Sequence, residues 1–517
     1  MFPVLTPNQA AEWDRAAEAA GIPAAVLMEN AGRAVAALAV ERFGALVGQG
    51  VLVACGTGNN GGDGWVAARA LHRIGVPVWV AALQPSASSS ALAATMAARA
   101  RQDGVRTVTP DGPWPGVGLV IDAVLGTRAS GAPRDRAAQL LDRLVDLRVP
   151  VVAVDGPSGL GLLDGVSRGP LHASLTVTFG GYRRGHLLAR DQVGDVVVVD
   201  IGFPPADPAW PTFYTRAHAL EALPPLRANL HKGGRGRVAI LGGDRGLTGA
   251  ARLVARAALG AGAGLVHVLL PPESLQILAQ AEPDIQTRPQ AYDAPLGDEA
   301  KQLIDGADAV VIGPGLGRHE NRPRLILEAL SAAEVAILDA DALTMLQGRV
   351  SELAALAAGR LVVLTPHLGE FRTLFPSPAT HATVDPWGAA ARAAAESGAT
   401  VLLKGVPTVI ADASGAPLTV AAGNPGLATG GSGDILSGLI ATFLAQGIAP
   451  RIAAALGAQV LGEAADLAAR RTTARGLRPM DVIVALPELW RMWGLAAARG
   501  ASFRVPVLHQ LDRPLHF

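Results

Sequence analysis

Short apolar runs alternate with longer segments of helical period along most of the chain, and several of the runs end in a glycine-rich or acidic turn. That grammar predicts βαβ units, in which parallel strands are buried on both faces by covering helices. In the first part strands are expected at residues 51–54, 76–82, 119–122, 150–155, 175–179 and 195–200, with helices at 9–19, 28–42 and 64–74. The pattern breaks between residues 203 and 234, where Pro204, Pro205, Pro208, Pro211, Pro224 and Pro225 crowd together. It resumes with strands at 237–241, 265–270, 309–312, 335–338, 361–364 and 401–404. Two α/β domains are therefore expected, residues 1–214 and 215–501, followed by a tail, 502–517, with neither period nor motif. The halves share no motif, so the chain reads as a fusion of different domains and not as a tandem repeat.

Composition narrows the function classes. At roughly 150 residues per domain, 517 residues allow two to four domains, and 50% apolar content supplies their cores. Forty-four Lys plus Arg balance forty-four Asp plus Glu, so no net basic field draws the chain to nucleic acid or to an anionic membrane. A phosphate-bearing ligand needs a local site instead. The single cysteine, Cys55, excludes an internal disulfide framework and a cysteine-cluster metal site, which fits a reducing, cytoplasmic location. Spanning a bilayer takes about 20 nearly uninterrupted apolar residues. The best candidate, residues 257–270, is short, glycine-rich and carries His267, so no membrane span is expected. Residues 1–15 lack the basic and apolar regions of a signal peptide, so a soluble, unprocessed protein is expected.

In the first half the strand at 51–54 runs into Cys55-Gly56-Thr57-Gly58-Asn59-Asn60-Gly61-Gly62-Asp63-Gly64 and then a helix. Glycine-freed amides at a helix N-terminus make an anion site, with a tight turn capped by Asp63 as the structural alternative. The strand at 76–82 ends in Leu83-Gln84-Pro85, without the acidic residue of a dinucleotide-binding Rossmann site. Two further strands end in Asp122 and Asp155, and the second continues into Gly156-Pro157-Ser158-Gly159. Because strand carboxyl ends line the ligand crevice of an open α/β sheet, Asn60, Asp122, Asp155 and Ser158 should converge. Such oxygens suit a hard cation or acid/base work, whereas either aspartate alone is more often a turn cap.

Four motifs in order, Leu27-Met28-Glu29-Asn30-Ala31-Gly32, Asn59 to Gly64, Ile121-Asp122-Ala123 with Gly126-Thr127, and Asp155 to Gly159, resemble NAD(P)H-hydrate epimerase across nearly all of residues 1–214. The resemblance implies a Rossmann-like three-layer domain. It assigns hydrated nicotinamide nucleotide to Asn59, Asn60, Gly61, Gly62 and Asp63, and to Gly126, Thr127, Arg128, Ala129, Ser130, Gly131 and Ala132, together with Asp155. It places K⁺ at Asn60, Asp122 and Ser158. The sequence departs from the family at Arg128, where glycine is usual, and at Gly156, where an aliphatic residue is usual. Epimerisation at the hydroxyl-bearing ring carbon needs an acid/base group, for which Asp155 is the first choice and Asp63 the second.

The second half carries Asn424-Pro425-Gly426-Leu427-Ala428-Thr429-Gly430-Gly431-Ser432-Gly433-Asp434 ahead of a helix at 435–445. Gly430, Gly431 and Gly433 let amides converge near a helix N-terminus, where a phosphoryl charge is favoured, and Asp434 stands ready as base towards a hydroxyl. The loop resembles that of ribokinase-like proteins. With His231-Lys232-Gly233, Ile240 to Gly243, Gly249-Ala250, Gly313 to Gly317, Thr365 to Glu370 and Leu403-Lys404-Gly405, residues 225–495 resemble ADP-dependent NAD(P)H-hydrate dehydratase.

By that resemblance Ala250, Gly317, His367 and Asp434 face the substrate, while Lys404, Gly405, Val406, Pro407, Thr408 and Gly433 face the adenine nucleotide. Taken singly, His367 reads as a loop histidine and Lys404 as a solvated lysine. Asp339 and Asp341 suit either Mg²⁺ or helix capping. The implied cofactors are K⁺ for the first half, and Mg²⁺ with ADP for the second. The expected partners are hydrated NADH or NADPH and ADP, in a homo-oligomer, with neither nucleic acid nor membrane. An alternative is a ribokinase-like kinase of a vitamin precursor, fused to a non-catalytic nucleotide-binding module.

Overall fold

The computed structural model describes residues 2–84, 89–127, 129, 131–499 and 507–515. They form two units, residues 2–210 with 507–514, and residues 211–499. The first unit contains β1 (Phe2–Leu5), β2 (Val51–Cys55), β3 (Val78–Ala82), β4 (Arg106–Val108), β5 (Leu119–Ala123), β6 (Val151–Val154), β7 (Leu175–Phe179), β8 (Tyr182–Arg183) and β9 (Asp195–Val199). β1 pairs with β8, and the others form a parallel sheet in the order β9-β7-β6-β5-β2-β3-β4. Alternation along β2 shows why. Val51, Val53 and Cys55 pack with helices Ala24–Val47, Asn59–Arg73 and Ala91–Gln102, while Leu52 and Ala54 pack with helix Asp135–Asp146. Both faces are therefore covered, a Rossmann-like three-layer arrangement. The strand order reverses between β2 and β5, which opens a crevice at their carboxyl ends.

The second unit holds β10 (Thr212–Phe213), β11 (Arg237–Leu241), β12 (Leu265–Leu270), β13 (Gln286–Pro289), β14 (Ala309–Ile312), β15 (Val335–Leu338), β16 (Leu361–Leu364), β17 (Thr400–Leu403), β18 (Thr408–Asp412) and β19 (Gly415–Val420). Its sheet runs β13-β12-β11-β14-β15-β16-β17-β18-β19-β10, parallel up to β17 and antiparallel through the two pairings that β18 makes. Thr212 and Phe213 pair with Leu418 and Thr419, so the chain enters the second unit a few residues before the expected Thr215. Sequence reading missed β4 and β13, which are short, polar edge strands, and β18 and β19, whose hairpin is joined at Asp412-Ala413-Ser414-Gly415.

One expectation is corrected. Helix Pro450–Arg471 is long and apolar enough to cross a membrane, although no such segment was expected. Its hydrophobicity is spread over many alanines, and 78% of its apolar window is buried against the second unit's own core, as a core helix requires.

The tail read as featureless carries β20 (Val507–Leu511), which pairs antiparallel with β9 and so caps the first unit's sheet. Tyr182 Oη lies 2.5 Å from His509 Nδ1, Phe2 stacks on His509, and Asp195 Oδ1 accepts from Arg513 N at 2.8 Å. Truncation after Arg499 therefore uncovers an edge strand. Lost backbone bonds of about 1 kcal/mol each should lower the unit's melting temperature by at least about 5 °C. Calorimetry of the truncated chain should show the first unit melting earlier and the second unchanged.

Candidate active sites

In the first unit the segment expected to be a phosphate loop is the opening turn of helix Asn59–Arg73, with Gly58 as its N-cap. Its glycines answer to packing. A Cβ on Gly61 would lie 2.0 Å from the Gly56 carbonyl oxygen, one on Gly62 2.6 Å from Met28 Sδ, and one on Gly64 2.6 Å from Ala123 Cβ. The Leu27 to Gly32 motif has a similar origin, since a Cβ on Gly32 would meet Val66 Cβ at 2.5 Å.

A cavity of about 810 Å³ opens at the β2 and β5 ends. Asn59, Asn60, Asp63, Gly126, Thr127, Ala129 and Asp155 line it, whereas Gly61, Gly62, Gly131 and Ala132 stand off its wall. Gly61 and Gly62 are withdrawn because they are buried against the sheet and the neighbouring helix. Arg128 and Ser130 lie outside the described residues. A Cβ on Gly126 would come 2.9 Å from Asn60 Cβ, so glycine there permits the close approach. At Gly156 a Cβ would come 2.8 Å from Leu162 Cδ2, which gives the absence of an aliphatic side chain a steric reason.

Asn60, Asp122 and Ser158 converge beside Leu125. Asp122 accepts from Ser158 N at 2.7 Å, Ser158 Oγ at 2.6 Å and Val124 N at 3.2 Å. Ser158 Oγ in turn accepts from Leu125 N at 2.8 Å, and Asn60 Nδ2 donates to Leu125 O at 3.0 Å. Burial pushes the Asp122 carboxyl up against these bonds. One carboxylate with amide, hydroxyl and carbonyl oxygens, and no nitrogen or sulfur donor, fits a hard, singly charged cation. Among the described residues no cluster of three His, Cys, Asp or Glu suggests a transition metal.

Asp155 follows β6 with a φ of +62°, a backbone that non-glycine residues rarely adopt. Its carboxylate faces Arg183 Nη2 at 3.1 Å, and it accepts from Thr178 Oγ1 at 2.9 Å and from the Thr127 hydroxyl. Burial pushes it up, but the guanidinium and the hydroxyls outweigh burial and hold it below the ordinary carboxylate range. Asp63, on the same cavity, goes the other way: burial first, then Asp155 and Asp14, raise it well above that range. A proton-holding and a proton-accepting carboxyl thus share one cavity.

In the second unit the switch point lies between β11 and β14, where Ala250 and Gly317 sit. Gly315 would bring a Cβ within 3.1 Å of Ala250 Cβ, and Gly317 N donates to Asp341 Oδ2 at 3.0 Å. Asp341 also receives Arg318 Nε at 2.8 Å. Asp339, fully buried at the β15 end, accepts from Lys404 Nζ at 2.9 Å and Ser437 Oγ at 2.8 Å. Lys404 also faces Glu370 at 3.7 Å. Burial lowers Lys404, but Asp339, Glu370 and Asp434 outweigh it and keep it a cation. Both aspartates are thus already partnered, so Mg²⁺ fits here as an ion arriving on nucleotide phosphates and not in a protein cage.

His367 is the N-cap of helix Leu368–Leu374, accepting at Nδ1 from Gly369 N at 2.9 Å and Glu370 N at 3.2 Å, and its ring is 60% exposed. Its Nε2 lies 3.5 Å from Glu370 Oε1. Lys404, Gly405, Val406, Pro407 and Thr408 form the turn from β17 into β18, and the Thr408 hydroxyl donates to Gly405 O at 3.2 Å.

The glycine loop leads into helix Ser432–Ala445, whose N-cap, Gly431, has a φ of +101°. A Cβ on Gly433 would stand 3.2 Å from Lys404 Nζ, so the lysine reaches the helix N-terminus. Asn424 anchors the loop by donating to Asp466 Oδ1 at 2.8 Å and accepting from Gly426 N at 3.0 Å. Burial, then Asp339, push Asp434 up to about 7, with Lys404 opposing. The arrangement offers an anion-binding amide cluster, a fixed cation and a carboxyl that titrates near neutrality.

Sequence reading missed Thr178, Arg183 and His186 around Asp155, and Ser437 beside Asp339. Thr178 lay in an expected strand, near its carboxyl end, which is the signal that marks such positions. Arg183 and His186 lie in a two-residue strand and a five-residue helix, too short to leave a period, and Ser437 is one turn into a helix, where no pattern distinguishes it.

A family model described as NAD(P)H-hydrate dehydratase matches residues 238–488, and one described as YjeF-related protein N-terminus matches residues 24–185. The chain is 37% identical over 495 residues to a bifunctional NAD(P)H-hydrate repair enzyme Nnr of Moorella thermoacetica, covering 91% of this chain and 93% of that protein. It is 35% identical over 449 residues to the protein of that name from Escherichia coli, covering 85% and 84%. Among solved structures, an ADP/ATP-dependent NAD(P)H-hydrate dehydratase from Bacillus subtilis, crystallised with ATP and Mg²⁺, matches at a TM-score of 0.48 and 28% identity, covering 55% of this chain and 98% of that one.

Proposed function

This chain belongs to the bifunctional NAD(P)H-hydrate repair enzymes, and from that premise we propose that its two units run separate proton-transfer reactions on hydrated NADH and NADPH. The Rossmann-like unit interconverts the R and S epimers. The ribokinase-like unit dehydrates the S epimer with ADP. The carrying observation is that each unit holds a carboxyl at a strand or helix end around its site: Asp155 on the wall of the first unit's cavity beside Arg183, and Asp434 at the start of helix Ser432–Ala445, where burial and Asp339 lift it to about 7.

In the first unit burial and the neighbouring carboxylates Asp155 and Asp14 favour the protonated form of Asp63, whereas Arg183 favours the charged form of Asp155. Asp63 protonates the ring hydroxyl, which leaves as water while the ring nitrogen's lone pair forms a C=N bond. Water then adds to the other face of that carbon and loses its proton to Asp155, and solvent exchange resets both carboxyls. Asn60, Asp122 and Ser158 would hold K⁺, whose charge would steady the Leu125 turn that leads into Gly126 and Thr127.

In the second unit hydroxide is a poor leaving group, so the hydroxyl is first phosphorylated and phosphate is then eliminated. Asp434 accepts the hydroxyl proton, the amides around Gly430 to Gly433 receive the phosphoryl oxygens, and Lys404 balances the nucleotide. Ala250, Gly317 and the exposed ring of His367 border the hydrate, while the Lys404 to Thr408 turn and Gly433 border the adenine nucleotide. Mg²⁺, when bound with the nucleotide, neutralises phosphate charge.

The test is recovery of NADH absorbance from a mixed-epimer NADH hydrate with ADP and Mg²⁺, run in K⁺ and in Na⁺. Complete recovery is expected in K⁺, with a slower second phase in Na⁺. Arrest after one epimer in K⁺ would remove the epimerase reading, and identical second phases would remove the cation alone.

A further inference from the structure

The residues around Asp155 form a clamp that closes on both ends of this amino acid. On the main-chain side, Asp155 N donates to Val177 O at 2.8 Å, and the Asp155 carbonyl lies 2.6 Å from His186 Nε2. His186 is fully buried, and its Nδ1 accepts from Arg183 N at 3.1 Å. Nδ1 therefore carries no proton, so Nε2 carries it and donates to the Asp155 carbonyl. The imidazole is a neutral donor with its tautomer set by its neighbours. On the side-chain side, Arg183 Nη2 faces Asp155 Oδ1 at 3.1 Å, and Arg183 Nη1 is itself fixed by donating to Gly181 O at 3.1 Å. The four residues from Arg183 to His186 thus grip the positive-φ backbone through an imidazole and the carboxylate through a guanidinium.

An ion pair this buried often has no role beyond the fold. Here, however, both members lie on the wall of the cavity that also holds Asp63, and the held residue keeps a backbone conformation that nothing in a plain turn requires. We propose that Arg183 and His186 are positioning residues of the epimerase: Arg183 orients the Asp155 carboxylate and keeps it charged, and His186 holds its main chain so that the carboxylate points into the cavity. This rests on the reading of Asp155 as the proton acceptor. The charged and titratable groups facing the clamp are Asp63 and, beyond it, Asp14 on the cavity side, with Arg190 behind His186. Burial keeps His186 neutral, down to a pKa of about 4, so its own titration does not enter the working range.

The experiment is the pH profile of epimerisation for the full chain, with the first unit's calorimetric transition in the same samples as the measure of its folding, because the second unit has its own core. Removing an opposite charge at this distance raises a carboxyl by about one to three units. Arg183→Gln should therefore move the acid limb up by at least about one unit, and Arg183→Lys should bring it most of the way back. His186→Gln, which keeps an amide donor, should retain more kcat than His186→Leu at similar KM, with about a tenfold gap between them. Superposable acid limbs for Arg183→Gln and the parent would overturn the role of Arg183, and so would a Lys variant that titrates like the Gln variant. If the Gln variant does not fold, the Lys variant decides alone: an acid limb near the parent's supports the proposal, and a limb displaced by about a unit or more overturns it. Equal kcat in the two His186 variants would overturn the role of His186. Asp155→Asn separates the two levels: if it epimerises at the parental rate, the acceptor reading fails. If it is inactive while the Arg183 and His186 variants behave as the parent, only the clamp fails.

Discussion

Asp434→Asn slows ADP-dependent dehydration by about 10²- to 10⁴-fold, the span that a general base typically supplies, and leaves epimerisation at its parental rate. The selectivity follows from the fold, because Asp155 and Asp434 belong to different units with different cores. The pH dependence gives a second signature. With burial and Asp339 lifting Asp434 to about 7, the carboxyl is neutral below that value and charged above it. Dehydration in the parent should then fall about tenfold per unit as pH drops below 7 and level off above 8, if proton acceptance limits the rate. The asparagine variant should lose that limb together with most of the rate. The exchange also removes a partly buried carboxylate that the fold disfavours at high pH, so the variant should melt no lower than the parent at pH 8, measured by calorimetry. Parental dehydration in the variant would leave Asp434 as a helix N-terminal residue and nothing more.

Asp155→Asn should remove epimerisation by a similar factor while dehydration of the S epimer continues unchanged. In a mixed-epimer assay the variant consumes its S fraction rapidly, then slows to the spontaneous rate at which R converts to S. Mixing this variant with Asp434→Asn should restore full conversion, since each chain keeps one active unit and the hydrate passes between them through solvent. If the mixture instead stalls like Asp155→Asn alone, the two steps do not communicate through free substrate. If Asp155→Asn by itself completes the conversion at the parental rate, Asp63 or another group is the acceptor.

Much of this protein is legible before folding is considered. Short continuous apolar runs such as Val51 to Ala54 place the parallel strands, because a strand buried on both faces must be apolar almost throughout. The same rule puts Asp122, Asp155 and Lys404 at or beside the carboxyl ends of strands, where charged side chains interrupt the apolar runs. The motif sets around Asn59 and Gly430 point to the two activities, since each combines glycines with carboxyl or amide side chains in one short run.

What the sequence determined by itself was therefore local: strand positions, turn chemistry and the residues at strand ends, all fixed by short-range periodicity. The structure alone decided which distant residues meet. It gave Gly61 and Gly62 a packing reason to be glycine, since only the positions of Gly56 and Met28 show that a Cβ has no room. It recruited β20 to an edge some three hundred residues away in sequence, where unpaired β9 backbone needed partners. It likewise set Asp63 and Asp155 apart in proton affinity, a difference no sequence pattern encodes. Both are aspartates with the same intrinsic chemistry, and only the cation beside one and the carboxylates facing the other distinguish them.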